Sequence, residues 1–355
     1  MKIAVIGAGA AGLAALRHCV SGTYGNQVVC YEKTDQIGGT WVYREETGSD
    51  RYGLPIHTSM YKSLRTNLPK EVMGYPDFPI PGRSESYLSR MEMLDFLNAY
   101  CDHFALRSYI RLLHNVELVE PVAEDRKWSV KVRDLQEDAV VIESFDAIMV
   151  CNGHYFEPKI PSIPGQDIFT GERIHSHDYR VPEIFDGKKV VVIGAGPSGY
   201  KYNFPFLADS CGVRVDSNMV TPLWKHLVSI ENPTLALIGL PYYVCAFNMF
   251  DLQVRFVLRH WHGERQFPAR ADMLRSETEE ATKRAEKGLQ KRHFHMMGPE
   301  QGHYYNDLAN IAGIEPLPPV LTKLHNESSM RFLDDLVHYR QDRYKIVDDY
   351  NFVQF

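Results

Sequence analysis

The chain has 355 residues, 44% of them hydrophobic and 24% charged, enough for about two globular domains and a sizeable core. A formal charge of −6 gives no long-range attraction to phosphate backbones or anionic lipid, which argues against nucleic-acid and membrane-surface binding and for small-molecule chemistry. Six cysteines (Cys19, Cys30, Cys101, Cys151, Cys211, Cys245) form no C-x-x-C pair and no leader precedes the first strand pattern, so the expectation is a cytoplasmic chain with reduced, buried thiols and no membrane anchor.

Lys2-Ile3-Ala4-Val5-Ile6 predicts a buried strand, Gly7-Ala8-Gly9-Ala10-Ala11-Gly12 a tight turn and Leu13-Ala14-Ala15-Leu16-Arg17-His18 a helix. In such a unit the first glycine permits the turn and the second lets the backbone approach a pyrophosphate. The third allows close packing, and the helix N-terminus receives the phosphates. A second short strand, Val28-Val29-Cys30-Tyr31, ends in Glu32, placed about 20 residues on, where an acid binds a ribose hydroxyl. Gly7, Gly9, Ala10, Ala11, Gly12 and Glu32 are therefore the candidate dinucleotide ligands.

Further along, a helix is expected over 85–106, capped by Ser84 or Ser86, then strands at Trp128 to Val132, Val140 to Ile142 and Ala147 to Cys151. Pro158, Pro161 and Pro164 mark a linker. Lys189-Val190-Val191-Val192-Ile193 predicts a strand leading into a second turn, Gly194-Ala195-Gly196-Pro197-Ser198-Gly199, the one internal similarity in the chain. The apolar stretch from Leu235 to Phe250 is interrupted by Gly239, Pro241 and Asn248 and is too short to cross a bilayer. Residues 271–292, rich in Glu, Lys and Arg, are expected as a solvated surface helix. His260, His262, His293 and His295 have no cysteine or carboxylate at ligand spacing, so no metal site is assigned.

Ile37-Gly38-Gly39-Thr40-Trp41 resembles the G-G-x-W element of flavin-dependent monooxygenases. Tyr61-Lys62-Ser63-Leu64-Arg65-Thr66-Asn67, Lys70-Glu71 and Tyr75-Pro76-Asp77-Phe78-Pro79 resemble, in order, the stretch that supplies this family's flavin-facing asparagine. The run from Phe169 to Tyr179 resembles the fingerprint F-x-G-x-x-x-H-x-x-x-Y, with Phe169, Gly171, His175 and Tyr179 at its fixed positions. Tyr179 stands where the related Baeyer–Villiger enzymes have tryptophan, which favours the heteroatom-oxygenating branch, and His175 is read as a family marker, not a base. Asn232 to Leu240 and Leu252 to Phe256 resemble the returning strand and subsequent helix of the flavin domain. To about residue 270 the chain thus resembles the flavin-containing monooxygenases, and among them the soluble, insect-like members.

The resemblance implies an α/β fold: a Rossmann-type FAD domain in two parts, 1–157 and 200–355, the latter with a helical tail. Residues 158–199 would be the remnant of an NADPH-binding domain. Implied cofactors are FAD and NADPH; implied partners are O2 and a soft nucleophile such as a tertiary amine or sulfide, with homo-oligomerisation left open. Hydride would pass from NADPH to FAD, and a C4a-hydroperoxyflavin would await the nucleophile. By the same resemblance Gly39, Thr40, Trp41, Thr66, Asn67 and Leu68 stand beside the flavin, Asn67 as the catalytic side chain, and Gly194, Gly196, Ser198 and Gly199 belong to the NADPH turn. A flavin disulfide reductase is the rival on the same fold, disfavoured because C-x-x-C is missing; an FAD-binding but catalytically impaired form is the rival of another class.

One departure stands out. After Gly199 the family continues with the rest of a nicotinamide domain, ending later in Thr-Gly-Tyr, whereas here Tyr200-Lys201-Tyr202-Asn203-Phe204-Pro205-Phe206 resembles the family's residues from that later Tyr onward. A βαβ unit takes on the order of 30 residues, so the second unit is expected to be cut short.

Overall fold

The computed structural model describes residues 1–82, 84–124, 126–154, 157–194 and 200–355. Strand β1 (Lys2–Ile6), helix α1 (Ala10–Cys19) and strand β2 (Gln27–Tyr31) make a βαβ unit in which β1 and β2 run parallel, Ile3 opposite Val28 and Val5 opposite Cys30. Helix α2 (Arg90–His103) leads to β3 (Ile110–Arg111), parallel to β2. An antiparallel meander comes next, β4 (His114–Val122), β5 (Lys127–Asp134) and β6 (Ala139–Phe145), before β7 (Ala147–Val150) returns beside β1. Short strands β8 (Glu157–Pro158) and β9 (Tyr200–Lys201) pair antiparallel, and β10 (Arg214–Asp216) with β11 (Met219–Thr221) forms a hairpin. With β12 (Leu223–Trp224), β13 (Val228–Ser229) and β14 (Leu235–Leu237) the main sheet has the order β12-β13-β14-β7-β1-β2-β3. Helices α3 (Ala246–Trp261), α4 (Arg270–Glu286), α5 (Gln301–Ala312) and α6 (Pro319–Asp334) and the hairpin β15 (Tyr344–Ile346) and β16 (Phe352–Gln354) complete the chain.

Alternation along the central strands sets the layers, because successive side chains leave opposite faces of a sheet. Ile3, Val5, Ala147, Met149 and Ala236 point into one core with α1, α2, α3 and α5, while Ala4, Ile6, Ile148, Val150, Leu235 and Leu237 point into a second core under the meander, with Trp128, Val130 and Val132. This is the α/β, Rossmann-type architecture expected, with β14 as the returning strand, parallel to β7. Tyr202, Phe204 and Phe206, directly after β9, are buried in the second core, so the chain re-enters this unit at once. Among the described residues no helix is long and apolar enough to cross a membrane.

Three expectations need correction. Helix α2 begins at Arg90, not at 85: Ser89 is the cap, taking the Glu92 amide while the Glu92 carboxylate takes the Ser89 amide at 2.8 Å. Ser84 and Ser86 cannot cap it because 86–88 is tied to the preceding loop, Thr66 N–H to Leu88 O at 2.8 Å and Lys70 N–H to Ser86 O at 2.6 Å. The surface helix exists as α4 and ends at Glu286, but it is not merely solvated: Glu277 accepts the Leu223 amide at 2.7 Å, and Glu280 meets His226 at 2.9 Å. Burial pushes the Glu280 carboxyl up, but His226 and Arg284 outweigh it and hold it down at about 2.

The third correction is the largest. Lys189 to Ile193 forms no strand, and Val191 is 84% and Val192 83% exposed. A buried parallel strand needs neighbours on both edges, and this run joins none of the sheets of the described residues. Residues 195–199, with Gly196, Ser198 and Gly199 of the second turn, lie outside the described residues.

Candidate functional site

The Gly7–Gly12 turn joins the end of β1 to α1, and each glycine answers to a different demand. Gly7 has φ +102°, and a Cβ there would meet Cys151 O at 2.6 Å; a Cβ on Gly12 would stand 1.8 Å from Gly7 O. Both are required by the fold itself. Gly9 is not: its φ is −78°, and an added Cβ would make only ordinary contact with Gly39 Cα at 3.4 Å. The fold would accept alanine at Gly9, so what asks for glycine there is the approach of something outside the protein.

Gly9 is also the N-cap of α1, whose N-terminus has no side-chain cap and no acid in its first turn. Its first amides, on Ala10, Ala11 and Gly12, lack partners within the helix and face anions favourably along the helix dipole. Beside the turn, Glu32 is 5% exposed and accepts Ala8 N–H at 2.8 Å through one carboxylate oxygen. The other takes the Thr34 amide at 2.9 Å and the Thr34 hydroxyl at 2.8 Å. The carboxylate is thereby fixed at the end of β2 with lone pairs left for hydroxyl donors.

The Gly38–Trp41 element reaches the same place. Gly38 N–H bonds Ala8 O at 3.0 Å, and a Cβ on Gly39 would come within 2.9 Å of Gly9 Cα. A turn of helix over Gly39–Trp41 leaves Trp41 half-buried against the first core and Thr40 exposed, with Thr40 O taking the Thr58 hydroxyl at 3.0 Å. The structure thus brings Gly7, Gly9, Ala10, Ala11, Gly12, Glu32 and Gly39 together, with Thr40 and Trp41 continuing from them. Pyrophosphate at the α1 terminus and ribose at Glu32 fit this donor set, as a flavin dinucleotide requires.

Asn67 sits apart from those contacts, exposed, on a loop held at Thr66 and Lys70. Thr66 is 2% exposed and its hydroxyl accepts Leu88 N–H at 3.0 Å; Leu68 is half-buried against the first core. The loop is rigidly carried and offers the Asn67 amide outward.

The fingerprint stretch docks on the same unit through a residue that no motif marked. Arg180, next after Tyr179, is 6% exposed and donates to the carbonyls of Arg44 (2.7 Å), His177 (2.7 Å), Tyr179 (3.1 Å), Thr58 (3.1 Å) and Glu46 (3.3 Å). Lys62 N–H returns a bond to Arg180 O at 2.8 Å, and Tyr179 meets Tyr61 with ring centroids 5.3 Å apart. His175 accepts the His177 amide at Nδ1 at 3.1 Å and the Asp178 amide at its carbonyl at 2.9 Å, both local contacts. A basic residue directly behind the fingerprint tyrosine was the available signal for Arg180.

All six cysteines are free and buried. Burial pushes the Cys19 thiol up to about 12 and those of Cys101 and Cys211 to about 11, so none of these is a thiolate at neutral pH. His295 is fully buried, its Nε2 accepting Val220 N–H at 3.0 Å, and it pairs with His226 across 3.0 Å, a structural contact at the foot of α4.

A family model described as flavin-binding monooxygenase-like matches residues 1–200 and again 197–325. Flavin-containing monooxygenase FMO GS-OX5 of Arabidopsis thaliana is 34% identical over 398 residues, covering 89% of this chain and 86% of that protein. Senecionine N-oxygenase of Tyria jacobaeae is 28% identical over 422 residues, covering 99% and 91%. Among solved structures, S-allyl-L-cysteine S-oxygenase from Allium sativum superposes with a TM-score of 0.86 at 28% identity, covering 96% of this chain and 94% of that one. Both sequence alignments are longer than the 355 residues of this chain, so both relatives carry residues that it lacks inside the matched span. The two stretches of the family model meet at 197–200, where Gly199 joins Tyr200.

Proposed function

The chain belongs to the flavin-binding monooxygenase-like family, and on that premise we propose that it binds FAD and oxygenates soft nitrogen or sulfur nucleophiles, with a shortened second unit that leaves NADPH a poor reductant. The observation that carries the flavin reading is Gly9, a glycine the fold does not need, on a bare helix N-terminus facing Glu32. Bound FAD would supply the redox chemistry: once it has taken two electrons from a reductant, one atom of O2 can go to the nucleophile and the other, with two protons, to water. The α1 amides hold the pyrophosphate, Glu32 the ribose hydroxyls, and Gly39, Thr40 and Trp41 the floor beside the ring. Asn67 is the side chain that would donate a hydrogen bond to the bound flavin and so disfavour release of peroxide. No acid–base pair acts on the substrate, so none is assigned.

For NADPH the residues do not fit. Gly194 keeps its left-handed φ of +109°, but the run before it is not a strand, and among the described residues the next element is the short β9, not a helix. On this reading no helix N-terminus among the described residues follows Gly194 to receive a pyrophosphate, and losing several charge-assisted hydrogen bonds at about 1.5–3 kcal/mol each would weaken binding by several powers of ten. We therefore divide the chain into FAD-domain parts 1–157 and 200–355, the latter with a helical tail, joined through the remnant of an NADPH-binding domain at 158–199.

The deciding experiment is anaerobic stopped-flow bleaching of the purified protein, with dithionite as the positive control. Yellow protein that dithionite bleaches at once and micromolar NADPH bleaches slowly is the expected result. Colourless protein that FAD cannot reconstitute would end the flavin reading; rapid, saturable bleaching by NADPH would end the reading of the remnant.

A further inference from the structure

Residues 326–355 lie beyond the stretch that the family model matches, yet part of them is packed onto the strip that carries Asn67. Tyr339 is fully buried, its ring edge-on to Tyr87 with centroids 5.2 Å apart. Arg340 donates from Nε to Thr66 O at 3.1 Å and reaches Arg65 O with a terminal nitrogen at 3.5 Å. Four residues on, the Tyr344 amide donates to Ser86 Oγ at 2.8 Å, and the Ser86 hydroxyl donates in turn to Glu71 at 3.1 Å. Glu71 is paired with the buried Lys70 at 3.0 Å, and Lys70 also bonds Glu85 O at 2.6 Å. The loop from Arg65 to Glu71 is thus gripped on one side by 85–88 and on the other by the C-terminal segment.

We propose that the segment 339–346 is a positioning device for Asn67, with Arg340 its principal residue, and that it sets how much O2 is transferred to substrate and how much is released as peroxide. The proposal rests on the reading of Asn67 as the flavin-facing side chain. Thr66 O belongs to the peptide plane that enters Asn67, and Arg65 O to the plane before it. A guanidinium spanning two successive carbonyls fixes both planes, and with them the direction in which the Asn67 side chain leaves the backbone. Arginine suits this because its donors form a planar fork, whereas lysine is a single mobile point charge. The stacking of Arg340 on Tyr339, 4.8 Å from guanidinium carbon to ring centroid, holds the fork in place.

The test uses Arg340→Ala, Arg340→Lys, Asn67→Ala and the double variant Asn67→Ala/Arg340→Ala. Deuterium uptake of the peptide spanning 61–70 is measured in flavin-free protein, where loss of the grip should speed exchange about tenfold. Separately, bound FAD is reduced with stoichiometric dithionite and mixed with oxygenated buffer containing methyl phenyl sulfide, and the ratio of hydrogen peroxide to sulfoxide is read. Arg340→Ala should raise that ratio severalfold, Arg340→Lys should fail to restore it, and the double variant should match Asn67→Ala alone. Unchanged uptake in Arg340→Ala, full rescue by lysine, or additive effects in the double variant would each overturn the proposal. If the wild type forms no sulfoxide, the oxygen-transfer part falls with the functional reading. The uptake measurement then still decides whether Arg340 fixes the loop.

Discussion

Replacing Gly9 by alanine separates what the fold needs from what the ligand needs. At Gly9 the backbone has φ −78° and ψ −170°, which alanine adopts freely, and the new methyl would touch only Gly39 Cα at 3.4 Å. A poorer N-cap costs about 0.5–1 kcal/mol, and the stiffer unfolded chain returns about 0.4–1 kcal/mol, so the flavin-free protein should keep its stability within about 0.5 kcal/mol. The methyl also stands where the pyrophosphate must approach the α1 amides. Losing two charge-assisted hydrogen bonds at about 1.5–3 kcal/mol each should weaken FAD by a factor of about 10² to 10⁴. Gly12→Ala is the contrast, since its Cβ would stand 1.8 Å from Gly7 O and folding itself should suffer. Urea unfolding of flavin-free protein and titration by quenching of flavin fluorescence measure the two quantities. A Gly9→Ala variant that binds FAD within about threefold of wild type would refute the reasoning, and one that loses over about 2 kcal/mol of stability would make Gly9 structural.

Other outcomes rest on the same geometry. Arg180→Met removes a buried cation from five carbonyl acceptors and should cost about 3 kcal/mol, read by urea unfolding; an effect under about 0.5 kcal/mol would mean the strap at 175–180 is idle. Val191→Ser with Val192→Ser should leave the unfolding midpoint unmoved, because both side chains are over 80% exposed, and a clear loss would mean the run is covered in solution. His325 is 4% exposed, and burial draws its imidazole down to about 4. The unfolded chain takes up that proton near pH 6.5 and the folded chain only near 4. Stability present above about pH 6.5 is therefore lost as the pH falls through that window, about 3 kcal/mol in full for this group. Urea midpoints at about pH 7.5 and pH 5 should differ accordingly and His325→Asn should flatten the difference; an equal slope in the variant would locate the acid sensitivity elsewhere.

The nucleotide half was legible because its signals are local. Gly7, Gly9, Gly12 and Glu32 are tied to one strand, one turn and the end of the next strand, and the apolar run Ile3-Ala4-Val5-Ile6 needs no knowledge of partners. Lys189 to Ile193 has the same local signal and failed, because a strand exists only if a sheet accepts it, and none of the sheets of the described residues takes this run. The start of α2 was missed for a related reason: Ser86 carries a good capping side chain, but Tyr344, 258 positions away, and Glu71 claim its hydroxyl. Arg180 and Arg340 both bond backbone carbonyls, which any residue type supplies, so for Arg180 the only signal was its place behind the fingerprint tyrosine, and for Arg340 there was none. Asn67 was named only by resemblance, and its loop became intelligible only once the C-terminal segment lay upon it.

The position of the join explains how a flavin-binding half can keep its form beside a remnant. Strands β8 and β9 pair Glu157 with Lys201 and Pro158 with Tyr200, so the chain leaves the FAD unit and re-enters it at one spot. Asn203 Nδ2 bonds Glu157 at 2.8 Å, and Tyr202 and Phe206 sink into the core beneath the meander, closing the gate from the inside. Whatever lies between those strands is a loop as far as the main sheet is concerned, and loop closure depends only weakly on length, about 0.6 kcal/mol per doubling. Shortening the excursion therefore spares every pair in the sheet and both cores. On the proposed reading it removes instead what depends on the excursion having a sheet of its own, a strand at Lys189 to Ile193 and a helix after the second glycine turn. On the proposed reading, stability and flavin binding are decided on one side of the β8–β9 pair and reductant binding on the other, so losing the second would leave the first in place.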